Sequence, residues 1–208
     1  MTPVHHMWKM KQKNIIEAPM GERTVLLHTC CAPCSSAIIE AMLANGITPV
    51  IYYCNPNIYP REEYEIRKDE CTRYAQALGL EIVDADYDHE NWLEAVRGLE
   101  AEPERGGRCL KCFKLRLLRT AEYARQRGIK VITSTLASSR WKSLDQINDA
   151  GQWACARQNT IPPANNVHWW DQNWRKGGLQ ERRLQIIKEY DFYNQLYCGC
   201  EFSMRKED

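Results

Sequence analysis

The sequence lacks the features that mark membrane, secreted, fibrous and disordered proteins. No stretch approaches the 18 consecutive apolar residues that a membrane-spanning helix needs. Residues 1–23 contain neither a continuous apolar segment nor a small-residue cleavage site, so we expect no secretory signal. There is no repeat or low-complexity tract, and 44% hydrophobic with 26% charged residues exclude a disordered chain, a collagen and a coiled coil.

The chain also lacks an excess of either charge. It has 28 lysine and arginine residues against 27 aspartate and glutamate residues, which gives a formal net charge of +1. This balance neither argues for a nucleic-acid partner nor excludes one, because a local basic patch does not show in the total.

Cysteine, in contrast, is abundant. Ten of the 208 residues are cysteine, which is high for an intracellular protein and too low for a disulfide-dense scaffold. We expect a cytoplasmic location, because the sequence has neither a secretory signal nor a membrane span, and that compartment keeps thiols reduced. Clustered cysteines in such a protein are more often metal ligands or redox pairs than structural bridges.

The hydrophobic pattern predicts alternating strands and helices. Short apolar runs predict four buried strands, at residues 24–28, 48–53, 80–83 and 130–134. Apolar residues at helical spacing predict helices over 37–46, 61–79, 112–127 and 179–190. This alternation predicts an α/β fold with an open parallel sheet flanked by helices. We expect a loosely ordered leader over 1–23, and a single α/β domain over 24–208 that includes an irregular extension from about residue 150.

Three cysteines follow the first predicted strand directly. Cys30, Cys31 and Cys34 stand between that strand and the start of a helix. Ligands of open α/β sheets bind at the carboxyl ends of the strands, and a helix N-terminus favours thiolate over thiol. This loop is therefore a candidate site.

Cys109 and Cys112 form a C-x-x-C motif, a spacing that lets both sulfurs face one metal or cluster. Together with the first group they supply four or five thiolates. Zinc and an iron–sulfur cluster both take up to four thiolates, so spacing alone leaves both open. The plain alternative is that these cysteines are small buried hydrophobes.

Cys198 and Cys200 form a C-x-C pair around Gly199. Such a pair can close a small, strained disulfide, which is easily reduced and suits catalysis more than structure. The plain alternative is two incidental thiols. The remaining cysteines stand alone in the sequence, and we interpret them as packing residues: Cys54, Cys71 and Cys155.

The order of these motifs resembles the cobalamin-independent epoxyqueuosine reductase family, QueH. The motifs are, in chain order, VLLHTCCAPCS, YYCNPNIYPREEYEIR, RCLKCFKLRL, TSTLASSRWKS and YCGC. The resemblance covers about residues 24–203 and leaves 1–23 outside.

The resemblance implies a fold, an activity and partners. The fold is similar to the adenine-nucleotide α-hydrolase type of α/β sheet. The activity is the two-electron removal of the epoxide oxygen of epoxyqueuosine, in the tRNA anticodon wobble position, to give queuosine. The implied partners are a tRNA carrying epoxyqueuosine and an electron donor that the sequence does not identify; no membrane is involved.

The resemblance also implies site residues. It implies a 4Fe-4S cluster with Cys30, Cys31, Cys109 and Cys112 as ligands, and a redox-active catalytic pair at positions 198 and 200. Cys34 is a fifth candidate thiolate. Either it replaces one of the four, or it holds a second metal ion, or it only lies nearby.

Two further sets of residues are candidates for roles in this reaction. An acid must protonate the leaving oxygen, and the sequence does not choose among Tyr59, Glu63, Tyr64 and Asp86, each more often a solvated side chain. Aromatic residues beside basic ones suit RNA binding, although arginine-rich helices are more often solvated faces and tryptophan clusters more often core. These candidates are Arg116, Arg119, Arg125, Arg127, Trp169, Trp170, Trp174, Arg175, Lys176, Arg182 and Arg183.

Two other functions fit parts of the sequence. A zinc-binding, non-catalytic RNA-binding module would use the same cysteines, and it would be colourless where a cluster protein is brown. A nucleotide-activating ligase would need a glycine- or serine-rich phosphate loop after the first strand. The loop CCAPCSS has no glycine, which argues against that second function.

Overall fold

The computed structural model describes residues 15–162 and 166–204, which form a parallel five-stranded sheet flanked by helices. The strands are β1 (Thr24–His28), β2 (Thr48–Tyr53), β3 (Ile82–Asp84), β4 (Val131–Ser134) and β5 (His168–Trp169). The helices are α1 (Ala32–Ala44), α2 (Arg61–Ala77), α3 (His89–Val96), α4 (Gly107–Arg127), α5 (Leu144–Asn159) and α6 (Leu179–Glu189). The strand order is β3-β2-β1-β4-β5, so the predicted α/β fold is confirmed.

The centre of the sheet is apolar because strands covered by helices on both faces are buried throughout. Val25, Leu26 and Leu27 in β1 are completely buried, and this strand pairs in parallel with β2 and β4. The four predicted strands are confirmed within two residues of their ends. The sheet therefore holds the ends of β1, β2 and β4 in fixed positions.

Five elements differ from the sequence-based prediction: three are additions, and two are helices that begin earlier than predicted. Helix α1 begins at Ala32 instead of residue 37. The structure adds α3 and α5, and it adds β5 within the segment that the sequence predicted to be a loop. A strand of two residues is too short to show an alternating pattern. Helix α4 begins at Gly107 instead of Cys112, so both cysteines of the C-x-x-C motif lie in its first two turns.

Most of the predicted leader lies outside the described residues. Within the described part, Ala18 is buried, and the N–H of Ile16 donates to Asn45 Oδ1 at 3.3 Å. The division into a leader and one domain stays a prediction. No helix within residues 15–162 and 166–204 is long and apolar enough to cross a bilayer.

Candidate active site

The topology places the first cysteine loop where open α/β sheets bind ligands. The strand order reverses at β1 and β4, so the connections that follow these strands diverge and leave a crevice at their carboxyl ends. Cys30 follows β1, and its N–H donates to Thr135 Oγ1, just beyond β4, at 3.2 Å. The cysteine loop therefore lies at this crevice.

Three sulfur atoms form a compact group in this loop. Cys31 is the N-cap residue of α1, and Cys34 lies in the first turn of the helix. The sulfurs of Cys30, Cys31 and Cys34 all lie within 4.8 Å of one another, and the first two are 3.9 Å apart. All three are free thiols. The turn from strand to helix thus assembles three soft donors without any disulfide.

Contacts within the group and burial lower the pKa of one of its thiols and raise the pKa of the other two. Hydrogen bonds from Cys31 and Cys34 hold the pKa of Cys30 well below its usual range. Burial raises the pKa of Cys31, and the hydrogen bond to Cys30 raises that of Cys34 to about 12. Thr135 Oγ1, 3.4 Å from the Cys30 sulfur, donates a hydrogen bond to that thiolate. Metal binding would displace the remaining thiol protons, because thiolate is the binding form.

A cavity of about 610 Å³ connects this group with the other two cysteine motifs. Cys30 and Cys34 line it, and so do both cysteines of the C-x-x-C and both of the C-x-C motif. Cys109 and Cys112 are one helical turn apart on α4, so their side chains lie on the same face. The three motifs are far apart in the sequence, and the fold brings them together at one cavity.

The cavity lining is strongly basic. Among the described residues, seven arginine and lysine side chains line it, and Glu104 contributes the one carboxylate. The basic residues are Arg67, Arg105, Arg108, Arg116, Arg140, Lys142 and Arg183. A lining of this charge favours an anionic ligand or an anionic centre.

Arg116 is a buried cation at the inner wall of the cavity. Its side chain is among the largest fully buried ones, with 2% exposure. It donates to the carbonyl oxygen of Cys54 at 3.2 Å and to Asn55 Oδ1, and it reaches the sulfur of Cys112 at 3.9 Å. No carboxylate within the described residues pairs with it. Burying an unpaired charge costs free energy, so negative charge on the nearby sulfurs would stabilise this guanidinium.

The C-terminal strap, residues 191–204, carries the C-x-C pair back over the carboxyl end of the sheet. Arg67 on α2 donates to the carbonyl oxygens of Tyr197 at 3.2 Å and Cys198 at 3.3 Å. The N–H of Tyr59 donates to the carbonyl oxygen of Gly199 at 2.8 Å. Three backbone carbonyls are thus held, so the pair has a fixed position. Both cysteines of the pair are free thiols here.

Gln195 is a site residue that the sequence analysis missed. Its Nε2 donates to the Cys31 sulfur at 2.9 Å and lies 3.9 Å from the Cys34 sulfur. Its Oε1 is buried without a partner among the described residues. A single glutamine more than 160 positions from these cysteines carries no sequence signal, and only the return of the strap brings it near.

The four candidate acids do not lie on the cavity. None of them is among the described residues that line it. Tyr64 is 1% exposed and donates to Asp84 Oδ1 at 2.6 Å, and Glu63 accepts from the buried Arg67 at 2.7 Å. Asp86 and Tyr59 are exposed. The four side chains are packed, ion-paired or exposed away from the cavity. The geometry therefore does not support any of them as the acid.

Most of the tryptophan–arginine segment suggested for RNA contact is core. Trp174 is fully buried and Trp170 is 5% exposed, so neither ring has a free face for a base. Trp169 packs its ring against Gly151. Arg182 is buried in an ion pair with Glu40, at 2.7 Å. The plain alternative, a tryptophan cluster that belongs to the core, is confirmed here.

Four more of the arginines suggested for RNA contact have structural partners. Arg116 is buried at the cavity wall, as described above, and Arg119 donates to the carbonyl oxygen of Ala85. Arg125 donates to Gln158 Oε1 at 3.1 Å. Arg127 pairs with Glu81 at 3.1 Å on the surface. The helix that carries these residues therefore uses most of its arginines to join neighbouring segments.

The isolated cysteines are buried, as predicted for packing residues. Cys54, Cys71 and Cys155 are 0%, 3% and 5% exposed. Burial raises the pKa of Cys54 to about 11 and that of Cys155 to about 12. None of these three is among the described residues that line the cavity.

The chemistry of the donors fits a metal centre. Two zinc–sulfur bonds of about 2.3 Å at a tetrahedral angle would hold their sulfurs about 3.8 Å apart, close to the 3.9 Å between Cys30 and Cys31. A group of three close thiols beside further thiols in one cavity also offers enough ligands for an iron–sulfur cluster. The site therefore suits a metal held by cysteine, and the thiols themselves do not select the metal.

Fold and site together define an α/β protein with a cysteine-rich, basic cavity at the switch point of its sheet. Residues 25–206 match the family model described as epoxyqueuosine reductase QueH. The chain belongs to the QueH family.

Curated relatives carry the same name. The chain is 47% identical to epoxyqueuosine reductase QueH of Histophilus somni over 190 residues, which cover 91% of this chain and 76% of that relative. It is 45% identical to the protein of that name from Acinetobacter baylyi, over 91% of this chain and 84% of the relative. The protein of that name from Thermotoga maritima is 34% identical over 87% of this chain and 90% of its own length.

Proposed function

We propose that this chain removes the epoxide oxygen of epoxyqueuosine in the tRNA anticodon wobble position and so produces queuosine. Membership of the QueH family makes the chain an oxidoreductase that acts on epoxyqueuosine. The structural observation that carries the proposal is the convergence of the three cysteine motifs on one basic cavity at the switch point of the sheet. The cavity is lined by cysteines that we propose as metal ligands and as a dithiol, and by basic side chains suited to a polyanionic substrate.

The reaction needs two electrons and two protons. Both carbon–oxygen bonds of the epoxide break, a carbon–carbon double bond forms, and the oxygen leaves as water. Cys198 and Cys200 hold two electrons and two protons as a dithiol, which are released when the pair closes to a disulfide. A cellular dithiol reductant then restores the pair, because a short, strained disulfide is easily reduced. The electrons and protons therefore balance for each turnover.

We assign the metal centre to cysteines of the first two motifs. Cys30, Cys31, Cys109 and Cys112 are the proposed ligands of a 4Fe-4S cluster. When bound, such a centre supplies a Lewis acid for the epoxide oxygen and a relay for single electrons. Cys34 is the alternative ligand or the ligand of a second metal ion, and its sulfur lies within 4.8 Å of those of Cys30 and Cys31.

Protein groups around the sulfurs support this assignment. Thr135, Gln195 and Arg116 all direct donors at cysteine sulfurs. Donors of this kind orient metal ligands and tune the metal they hold. The buried positive charge of Arg116 also suits a centre whose thiolates carry net negative charge.

Metal and sulfide analysis of anaerobically purified protein tests the assignment. We expect a brown protein with iron and sulfide, and we expect each of the four variants Cys30→Ser, Cys31→Ser, Cys109→Ser and Cys112→Ser to lose iron and activity together. Cys155→Ser is the matched control, since this thiol lies outside the cavity. Full iron occupancy in all four variants, or a colourless zinc protein that is active, would contradict the assignment.

A further inference from the structure

Trp141 stands out because it is a large aromatic side chain with 76% exposure. It lies between β4 and α5, in the segment Arg140–Trp141–Lys142, and all three of these residues line the rim of the cysteine cavity. A side chain with this exposure buries little apolar surface and so contributes little to the stability of the fold. A role in binding explains its position at the mouth of the cavity.

The backbone beneath this indole is fixed. Arg105 donates to the carbonyl oxygens of Arg140 at 2.9 Å and Trp141 at 3.1 Å. Arg175 donates to the carbonyl oxygen of Lys142 at 2.8 Å. Three consecutive carbonyls are thus held by two guanidinium groups, so the exposed ring sits on a rigid base. A preorganised side chain loses less entropy when a ligand binds.

Charge around the ring favours a nucleic acid. Arg140 is exposed, and Lys142 and Arg183 are partly exposed along the same cavity lining. An exposed aromatic ring beside cationic side chains is the arrangement that stacks an unpaired base and holds the adjacent phosphates. Cys30 and Cys34 line the same cavity as Trp141, so one cavity offers both an exposed ring and the cysteine group.

We infer that Trp141 is a substrate-binding residue that stacks on a base directly next to the wobble nucleotide of the anticodon loop. This inference rests on the proposed function. The stack splays the flanking base out of the loop, and the modified nucleotide then enters the cavity. Arg140 and Lys142 hold phosphates on either side of the stacked base.

The test uses metal-loaded protein and an anticodon stem-loop RNA with 2-aminopurine immediately 5′ or 3′ of the wobble position. Stacking on an indole quenches the fluorescence of this base analogue. We expect quenching at one of the two positions with the wild type, and Trp141→Ala should abolish it and weaken binding about 5- to 150-fold. Trp141→Phe should retain most of both effects, because it keeps an aromatic face.

Trp153→Ala is the matched control, because Trp153 is another partly exposed indole, on α5, outside the cavity lining. It should bind and quench as the wild type does. Thermal unfolding of Trp141→Ala should match the wild type, since so exposed a ring contributes little to the core. Quenching at neither position, unchanged affinity of Trp141→Ala, or failure of the wild type to bind the stem-loop would overturn the inference.

The same stem-loop with epoxyqueuosine at the wobble position separates this inference from the proposed function. A wild type that converts an epoxyqueuosine stem-loop while Trp141→Ala binds it equally well keeps the function and rejects the stacking. A wild type that binds and quenches but never converts the nucleoside keeps the stacking and rejects the function. With both intact, Trp141→Ala should raise KM with little change in kcat, because the stack is the same in ground state and transition state.

Discussion

Arg67 on α2 donates a hydrogen bond to the carbonyl oxygen of Cys198, 131 residues further along the chain, at 3.3 Å. The same guanidinium forms an ion pair with Glu63, and both side chains are nearly inaccessible to solvent. The pair therefore joins the helix that follows β2 to the strap that carries the C-x-C motif. Arg67 and Glu63 are one helical turn apart on α2, so this ion pair forms within the helix. The strap then docks onto the pair.

Arg67→Met should remove this clamp and leave the Glu63 carboxylate buried without its partner. We expect a loss of about 3–5 kcal/mol in the free energy of unfolding, as for broken buried ion pairs. Urea unfolding measures it. The double variant Arg67→Met with Glu63→Gln should recover part of the loss, because it removes the stranded charge. If the loss of unfolding free energy in the double variant equals the sum of the losses in Arg67→Met and Glu63→Gln, the two side chains do not interact.

Gly199→Ala should disturb the C-x-C pair directly. Gly199 has φ +109°, and a Cβ there would lie 2.9 Å from Ile58 Cγ1 and 3.1 Å from Arg67 Nη1. Gly98→Ala is the matched control, with φ +81° and no neighbour within 4 Å of its Cβ. We expect Gly199→Ala to cost about 1–3 kcal/mol more than the control, from overpacking. Equal unfolding midpoints for the two variants would reject this packing account.

Cys155 and Cys71 should resist alkylation in the folded protein. Burial raises the pKa of Cys155 to about 12 and lifts that of Cys71 well above its usual range. At pH 8 the thiolate fraction of Cys155 is then on the order of a thousandfold below that of an ordinary thiol, and it rises tenfold with each pH unit. Peptide mass spectrometry after iodoacetamide treatment should find the half-buried Cys198, which lines the cavity, modified before Cys155 and Cys71. Equal rates for Cys198 and the two buried thiols would contradict the prediction, and unfolded protein, in which all ten react, is the control.

The described structure separates structural arginines from those available to RNA. Arg182→Met should cost about 3–5 kcal/mol of stability, because it strands the buried Glu40, yet leave tRNA affinity unchanged in the folded protein. Arg140→Gln should leave stability unchanged and reduce the salt dependence of tRNA binding by about one phosphate contact. Filter binding across salt concentrations measures both. Affinity that does not depend on salt would reject a phosphate-binding surface.

Local sequence patterns predicted the elements of the sheet but not the whole site. The four longer strands have strong apolar runs, and the turn after β1 made the first cysteine loop a candidate. The two-residue β5 has no such pattern, and Trp170 and Trp174 were offered for RNA contact although they pack into the core. A run of tryptophans beside arginines has the same local appearance in a core and on a binding surface.

Long-range contacts account for the rest. Gln195 reaches the cysteine sulfurs only through the fold of the strap, and Arg67 contacts the C-x-C segment only because the strap docks onto α2. Trp141 gained significance only from its exposure at the cavity rim. The exposure of Trp141 and the approach of Gln195 to the cysteines depend on the tertiary structure. Local sequence patterns therefore do not predict them.

The central claim is tested most directly by nucleoside analysis of epoxyqueuosine-containing tRNA after anaerobic incubation with the metal-loaded protein and a dithiol reductant. We predict that epoxyqueuosine is converted to queuosine, with the loss of one oxygen atom, over many turnovers by the wild type. Variants Cys198→Ser and Cys200→Ser should retain iron but lose multiple turnovers. Iron-loaded wild-type protein that binds the tRNA and leaves the epoxide intact would contradict the account.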